Sequence, residues 1–298
     1  MILLKEHIVK EIADNQRFLD YSIDIFKELI PSNKGIKKAI KRGELLLNEQ
    51  VVETGRYLKL GDKLSLYSTE KNVPTTYNLK IEVVYEDEYL AIINKPAGIN
   101  VSGNMYRTIV NSLPYNLTKS TKADALSWFR PVHRLDNQTS GLLLIAKTQT
   151  AMIKLGNMFE NKDIQKIYQA IVIGKTDNYG IIDKDIDGKK SISEYKTIKQ
   201  VKSLRNKDLS LLELKPKTGR THQLRIHLSG LGFPILGDKL YGREGSVLKH
   251  KGLFLCSVQL LFKHPIECKE LDVKIKTPYK FTSLLSREQR RYENYKVD

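Results

Sequence analysis

Between residues 31 and 43 the chain alternates isoleucine and lysine at helical spacing. Pro31-Ser32-Asn33 is a helix-start signal and Gly43 a stop signal, with KGIKKAIKR between them. At about 100° per residue, Lys34, Lys37, Lys38 and Lys41 share one face, and Ile36, Ala39 and Ile40 the opposite one. The pattern predicts a helix that buries its isoleucines and presents a row of cations, extended by Arg42. Short strand-like pieces follow at 45–47, 50–52 and, after the turn Gly61-Asp62, 64–67. Residues 15–68 therefore read as a small unit. The next stretch, 69–79 (TEKNVPTTYNL), is polar with one proline and reads as a linker.

From residue 80 the texture changes. KIEVVYEDEYLAIINKPAG reads as strand, acidic turn, strand, then a loop opened by Pro96 and Gly98. Longer apolar runs at 142–145, 167–173 and 209–214 read as buried strands. At 224–227 the alternation Leu-Arg-Ile-His reads as extended, which turns Arg225 and His227 away from Leu224 and Ile226. The tail SREQRRYENYKVD is charged and reads as helical or frayed. No internal repeat is evident. The predicted class is α+β: a mixed, largely antiparallel sheet domain over 80–298 behind a small N-terminal α/β domain over 1–68.

Charge sharpens this outline. The 298 residues carry a formal net charge of +16, and a surface so basic favours a polyanionic partner, RNA or DNA first. The lysine row, with no acid between residues 34 and 42, points to RNA. Two cysteines, Cys256 and Cys268, fit no common zinc or redox spacing and form no disulfide framework. No run of 18 apolar residues exists, and the N-terminus does not read as a signal peptide. A reducing cytoplasmic setting and a monomer without membrane association are expected.

The densest chemistry lies in PVHRLDNQTSGLLLIAKT, residues 131–148, where Asp136 stands beside Arg134 and His133, just before an apolar run. An ionised, positioned Asp can be a nucleophile, a base or a cation stabiliser. An arbitrary Arg-x-Asp is more often a structural ion pair or a turn. A second basic cluster, KPKTGRTHQLRIHLSGLGFPILGDKLYG, spans 215–242. His222 and His227 invite a metal reading, but no third ligand lies at a recognisable spacing. Phosphate-cradling glycine loops and the G-x-S-x-G elbow are absent. Neither cofactor nor metal is expected.

HRLDNQTSGLLLIAK resembles the signature of the RluA family of pseudouridine synthases. VVYEDEYLAIINKPAGINV resembles that family's entry strands and Lys-Pro-x-Gly loop, and TGRTHQLRIHLSGLGFPILGDKLYG its later block. The three blocks occur in the family's order across residues 80–285. The resemblance implies isomerisation of uridine in RNA to pseudouridine, without a cofactor. It assigns the catalytic carboxylate to Asp136, acting on the sugar either as nucleophile or as base. It makes Arg225 the partner of that carboxylate and Tyr168, in Lys166-Ile167-Tyr168, the aromatic that packs on the flipped uracil. Arg134 takes the role of filling the space the flipped base leaves. His133 is expected as a hydrogen-bonded support, Thr139-Ser140-Gly141 as loop formers, and Lys95 and Lys147 as phosphate contacts or scaffold.

The first unit, RFLDYSIDIF…SNKGIKKAIKRGELLLNEQVVETGRYLKLGDKL, resembles the S-four RNA-binding domain, named after a ribosomal protein. It departs from the common form in having Asn48-Glu49 where Asn-Gly is usual. The resemblance makes ribosomal RNA the favoured substrate over transfer RNA. The alternative is a catalytically inactive RNA-binding or ribosome-assembly protein. Against it stands Asp136, since a mere binder gains nothing from a carboxylate among phosphate-seeking cations.

Overall fold

In the computed structural model, residues 2–30, 32–68, 76–242 and 251–297 are described. The chain divides into two units, residues 1–75 and 76–298. Residues 69–75 of the expected linker lie outside the described residues. Residues 76–79 run along the larger unit, where Tyr77 N–H donates to Asn111 O at 2.8 Å.

The smaller unit starts with a strand the pattern did not predict, β1 (Ile2–Ile8). Helix α1 (Phe18–Phe26) buries Phe18, Ser22 and Phe26, four residues apart and so on one face. In α2 (Asn33–Lys41) the Ser32 hydroxyl accepts from Gly35 N–H as N-cap. Ile36, Ala39 and Ile40 are buried, and Lys34, Lys37, Lys38, Lys41 and Arg42 are exposed. Strand β2 (Leu45–Leu47) and β3 (Lys63–Ser68) complete a sheet of order β1-β3-β2. Residues 50–52 make only a single bridge, Leu47 to Gln50, not the strand expected there. Between them Asn48 and Glu49 both take positive φ, 49° and 61°. Glu49 holds that unusual conformation by accepting from Ser65 Oγ and Tyr67 OH, at 3.0 and 2.6 Å.

The larger unit opens with β4 (Glu82–Glu86) and β5 (Leu90–Lys95). Asp87 forms the acidic turn between them by accepting from Tyr89 and Leu90 N–H. Next come α3 (Ile109–Asn116), β6 (Ala125–Pro131), β7 (Ser140–Thr148), α4 (Gln149–Asn161) and β8 (Gln165–Ile173). Then follow β9 (Tyr179–Asp183), β10 (Ile192–Ser203), β11 (Lys207–Pro216) and α5 (Gln223–Gly230). Strands β12 (Leu255–Lys263) and β13 (Glu270–Lys274) and helix α6 (Tyr279–Val297) complete the described chain. The strands form one sheet of order β4-β5-β7-β12-β8-β11-β10-β9, with β13 on β12 and β6 on β7. Among the described strand-to-strand pairings only β7–β12 is parallel, so the mixed, largely antiparallel expectation holds.

The continuous apolar run in β7 has a simple cause: both faces of the strand are covered. Leu142, Leu144 and Ala146 pack with Ala151 and Leu155 of α4. Leu143 and Ile145 pack with Ile109 and Leu113 of α3, and with Leu135. A third cluster joins β8, β11 and β12 to α5 and α6.

Residues 224–227 are helical, not extended. A short apolar–polar alternation fits either period, and here the helical one wins. Leu224 and Leu228, four apart, both enter the core, and Gln223 anchors the start of α5. Its side chain accepts from Thr218 Oγ1 and Arg220 N–H and donates to Ile192 O and Ser193 Oγ.

A cavity around Asp136

Asp136 lies in the loop from β6 to β7, and that loop is tied down from below. The fully buried Lys95 ammonium, at the end of β5, donates to the carbonyls of Pro96, Asn137 and Thr139 at 3.0, 3.1 and 2.8 Å. Burial pulls Lys95 down to about 8, against the opposing pull of the Asp136 charge. At neutral pH it remains a cation whose three donors are all spent on the loop, so it is scaffold and not a phosphate contact. Lys147 is likewise buried, 2.7 Å from Glu86. Gly98 N–H donates to Asn137 O at 2.8 Å, joining the Lys-Pro-Ala-Gly loop to the same turn. Gly141, at φ +109°, lets β7 approach β12: a Cβ there would lie 2.1 Å from Ser257 O.

His133 Nε2 accepts from Leu144 N–H at 3.0 Å, and its ring stacks on Phe159 at 4.8 Å. Burial, reinforced by the Lys166 cation, pushes this imidazole down to about 3. It is the hydrogen-bonded support the pattern suggested, not an acid–base group at neutral pH.

The Asp136 carboxylate opens onto a cavity of about 830 Å³. Arg134, Tyr168, His222 and Arg225 also line it, from the loop before β7, from β8, and from α5 and its entry. Asp136 Oδ2 lies 3.7 Å from Arg225 Nη1 and 3.8 Å from His222 Nε2. Both distances are longer than a hydrogen bond. Among the described residues, no donor reaches the Asp136 side chain. The nearby guanidinium is Arg225's and not Arg134's, which is exposed at the rim.

Arg225 is itself held elsewhere. Its Nε and Nη2 donate to Asp238 Oδ2 and Oδ1 at 2.7 and 2.8 Å, a bidentate pair. Asp238 also accepts from Leu240 and Tyr241 N–H. Burial works to raise Asp238, but the bonds from Arg225, Tyr241 and Leu240 outweigh it and hold the carboxyl below the usual range. The Arg225 guanidinium also lies over the Tyr241 ring, 5.0 Å from its centroid. The short bonds of Arg225 therefore go to Asp238, which leaves the guanidinium 3.7 Å from Asp136 without a hydrogen bond to it.

Tyr168 is half-buried and packs against two core clusters at once. Burial, and then the Asp136 charge, raise its phenol, so it stays neutral where it lines the cavity. His227, by contrast, is a core residue: its nitrogens lie 3.0 Å from Ser193 Oγ and 2.9 Å from Lys184 O. Among the described residues no three His, Cys, Asp or Glu side chains group as metal ligands do. Asp238, Tyr241 and the closeness of His222 to Asp136 were not anticipated. The only available signal was the carboxylate inside GDKLYG.

A chain with this loop and this cavity has relatives. A family model described as RNA pseudouridylate synthase matches residues 89–230. An RNA pseudouridine synthase of uncharacterised role from Aquifex aeolicus is 31% identical, covering 86% of this chain and 89% of its own length. The chain belongs to the RluA family of RNA pseudouridine synthases. Ribosomal large subunit pseudouridine synthase C of Rickettsia prowazekii is 33% identical over 83% of this chain and 89% of its own. The human RNA pseudouridylate synthase domain containing 4 protein shares the fold, with a TM-score of 0.55 at 24% identity. It covers 69% of this chain and 92% of its own. As a pseudouridine synthase, the chain is an isomerase: uracil leaves ribose through nitrogen 1 and is rejoined through carbon 5.

Proposed function

We propose that this synthase modifies ribosomal RNA in the cytoplasm as a monomer, with Asp136 as its catalytic residue. The observation that carries the reading is an Asp136 carboxylate that no donor occupies among the described residues, facing a cavity lined by a neutral tyrosine ring and a fixed guanidinium. In this reading Asp136 acts on the sugar, the bond from the anomeric carbon to nitrogen 1 breaks, and the base turns. Carbon 5 then bonds to the sugar and releases its proton. Tyr168 stacks on the flipped uracil. Arg225, immobilised by Asp238, fixes Asp136 without consuming its lone pairs. Arg134, exposed at the rim, occupies the gap left in the RNA stack.

The smaller unit is read as an S-four-like RNA-binding module whose contact face is α2. Support comes from five exposed cations, Lys34, Lys37, Lys38, Lys41 and Arg42, over a buried isoleucine face. The rRNA assignment rests on that module and on relatives whose names specify the large ribosomal subunit.

The test uses transcripts of ribosomal and transfer RNA carrying tritium at carbon 5 of uridine. Forming the new carbon–carbon bond releases that tritium to water. The wild type should release it from ribosomal transcripts, and Asp136→Asn should not. Equal release by both proteins would remove Asp136 from the mechanism. Binding without release would favour an RNA-binding protein without catalysis.

A further inference from the structure

Lys166 has no role in the reading above, yet it is unusual among the cations of the cavity. Lys215 and Lys217, which also line it, are neutralised by Glu213 at 3.3 Å and Glu194 at 3.0 Å. Lys166 is half-buried, and no carboxylate lies within ion-pair range of it among the described residues. Burial pulls its ammonium below the usual range. The Phe159 ring, 5.8 Å from Nζ, offers only a weak compensation. A desolvated cation without a partner is costly, and an anionic ligand relieves that cost.

Geometry says which anion. Lys166 and Tyr168 are two residues apart on β8, and Ile167 between them points into the core. The two side chains therefore leave the same face of the strand, about 6.5 Å apart along it. That is close to the span from a nucleobase to the phosphate of the same nucleotide. Across from Nζ the chain offers Gly219, where the position of a Cβ is 4.0 Å away with nothing nearer. At position 219 the loop therefore presents no side chain to the ammonium.

We propose that Lys166 binds the phosphodiester adjoining the uridine whose base lies on Tyr168, so that β8 grips one nucleotide at both ends. The inference rests on the pseudouridine reading of Tyr168 and adds a substrate contact to it. Lys166 is then a binding residue that fixes the flipped nucleotide relative to Asp136.

The test compares wild type, Lys166→Met, Lys166→Arg and Lys215→Met on the tritiated ribosomal and transfer transcripts, with the fold of each variant checked by thermal melting. Half-saturating RNA concentration is measured by single-turnover release across a salt series. Lys166→Met should raise it about tenfold at 0.1 M salt and lower the slope of log affinity against log salt by about 0.7–0.9, one phosphate contact. Lys166→Arg should restore both. Lys215→Met, whose charge is already paired, should change each by less than half as much. A double substitution with Tyr168→Leu should cost less than the two single changes combined, because both act on one nucleotide. A folded Lys166→Met with wild-type affinity and slope would overturn the phosphate contact while leaving the isomerase reading intact. Fully additive effects with Tyr168→Leu would overturn the claim that the same nucleotide is held. A wild type that releases no tritium from any transcript would overturn both readings together.

Discussion

The Arg225–Asp238 pair carries the sharpest structural prediction. The Asp238 side chain is fully buried, and both its oxygens are occupied. Oδ1 accepts from Arg225 Nη2, Leu240 N and Tyr241 N, and Oδ2 accepts from Arg225 Nε at 2.7 Å. Asp238→Asn preserves the shape and the three bonds to Oδ1 but turns Oδ2 into an amide that faces a donor. One charge-assisted bond is lost, worth about 1.5–3 kcal/mol. The guanidinium, only 7% exposed, also loses its counter-charge, which brings the expected cost to about 3–5 kcal/mol. An exposed pair would cost at most about 1 kcal/mol, so burial decides the magnitude.

The assay is urea unfolding followed by tryptophan emission. Trp128, the only tryptophan, lies in β6 and so reports the larger unit by itself. The midpoint should fall by about 1–2 M. Replacing both partners with apolar residues, Arg225→Met with Asp238→Leu, should recover much of that loss. It should not recover activity, because Asp136 then lacks its neighbouring cation. In the wild type, the depressed Asp238 makes its contribution fully above the unfolded carboxyl value of 3.8. That contribution is lost as pH falls from there through the folded value. A midpoint shift below 0.3 M (about 1 kcal/mol or less) for Asp238→Asn would refute the reasoning.

Two further outcomes are expected. Gly141→Ala places a methyl 2.1 Å from Ser257 O, at a φ that disfavours side chains. It should cost about 3 kcal/mol or more and lower the melting temperature of the larger unit by about 6–12 °C; a drop under 3 °C would show that β7 and β12 can separate cheaply. His133, pushed to about 3 when folded against 6.5 unfolded, is protonated only in the unfolded chain between those values. Its contribution to stability is therefore complete above pH 6.5 and falls as pH drops toward 3, by up to about 1.4 kcal/mol per pH unit. His133→Phe should flatten that part of the stability–pH curve. It should also cost about 1–3 kcal/mol at pH 7, because Leu144 N–H loses its acceptor; an unchanged slope would mean that other groups govern the acid limb.

The amino-acid sequence by itself determined the local elements and the order of the chemistry. The lysine and isoleucine faces of α2, the acidic turn at Asp87 and the two-sided burial of β7 all follow from short-range periodicity. So does the presence of Asp136 in a motif-bearing loop, since three blocks in family order are themselves a local signal. Pattern failed where two periods fit equally. Residues 224–227 alternate like a strand yet fold as a helix turn, because Gln223 anchors it to β10 and both leucines reach the core. It also missed β1, whose partner β3 lies some 60 residues away, and it overread 50–52. Only the tertiary structure decided who partners whom. Two residues apart in sequence, Arg134 and Asp136 suggest an ion pair, but Asp136 finds its cation on α5, and that cation is already held by Asp238. Lys95 reads equally as a phosphate contact or as scaffold and is spent on three carbonyls, while Lys166, in the cavity, has no carboxylate in ion-pair range among the described residues. Charges are visible in a sequence; their desolvation and their partners depend on which strands and loops are brought together in space.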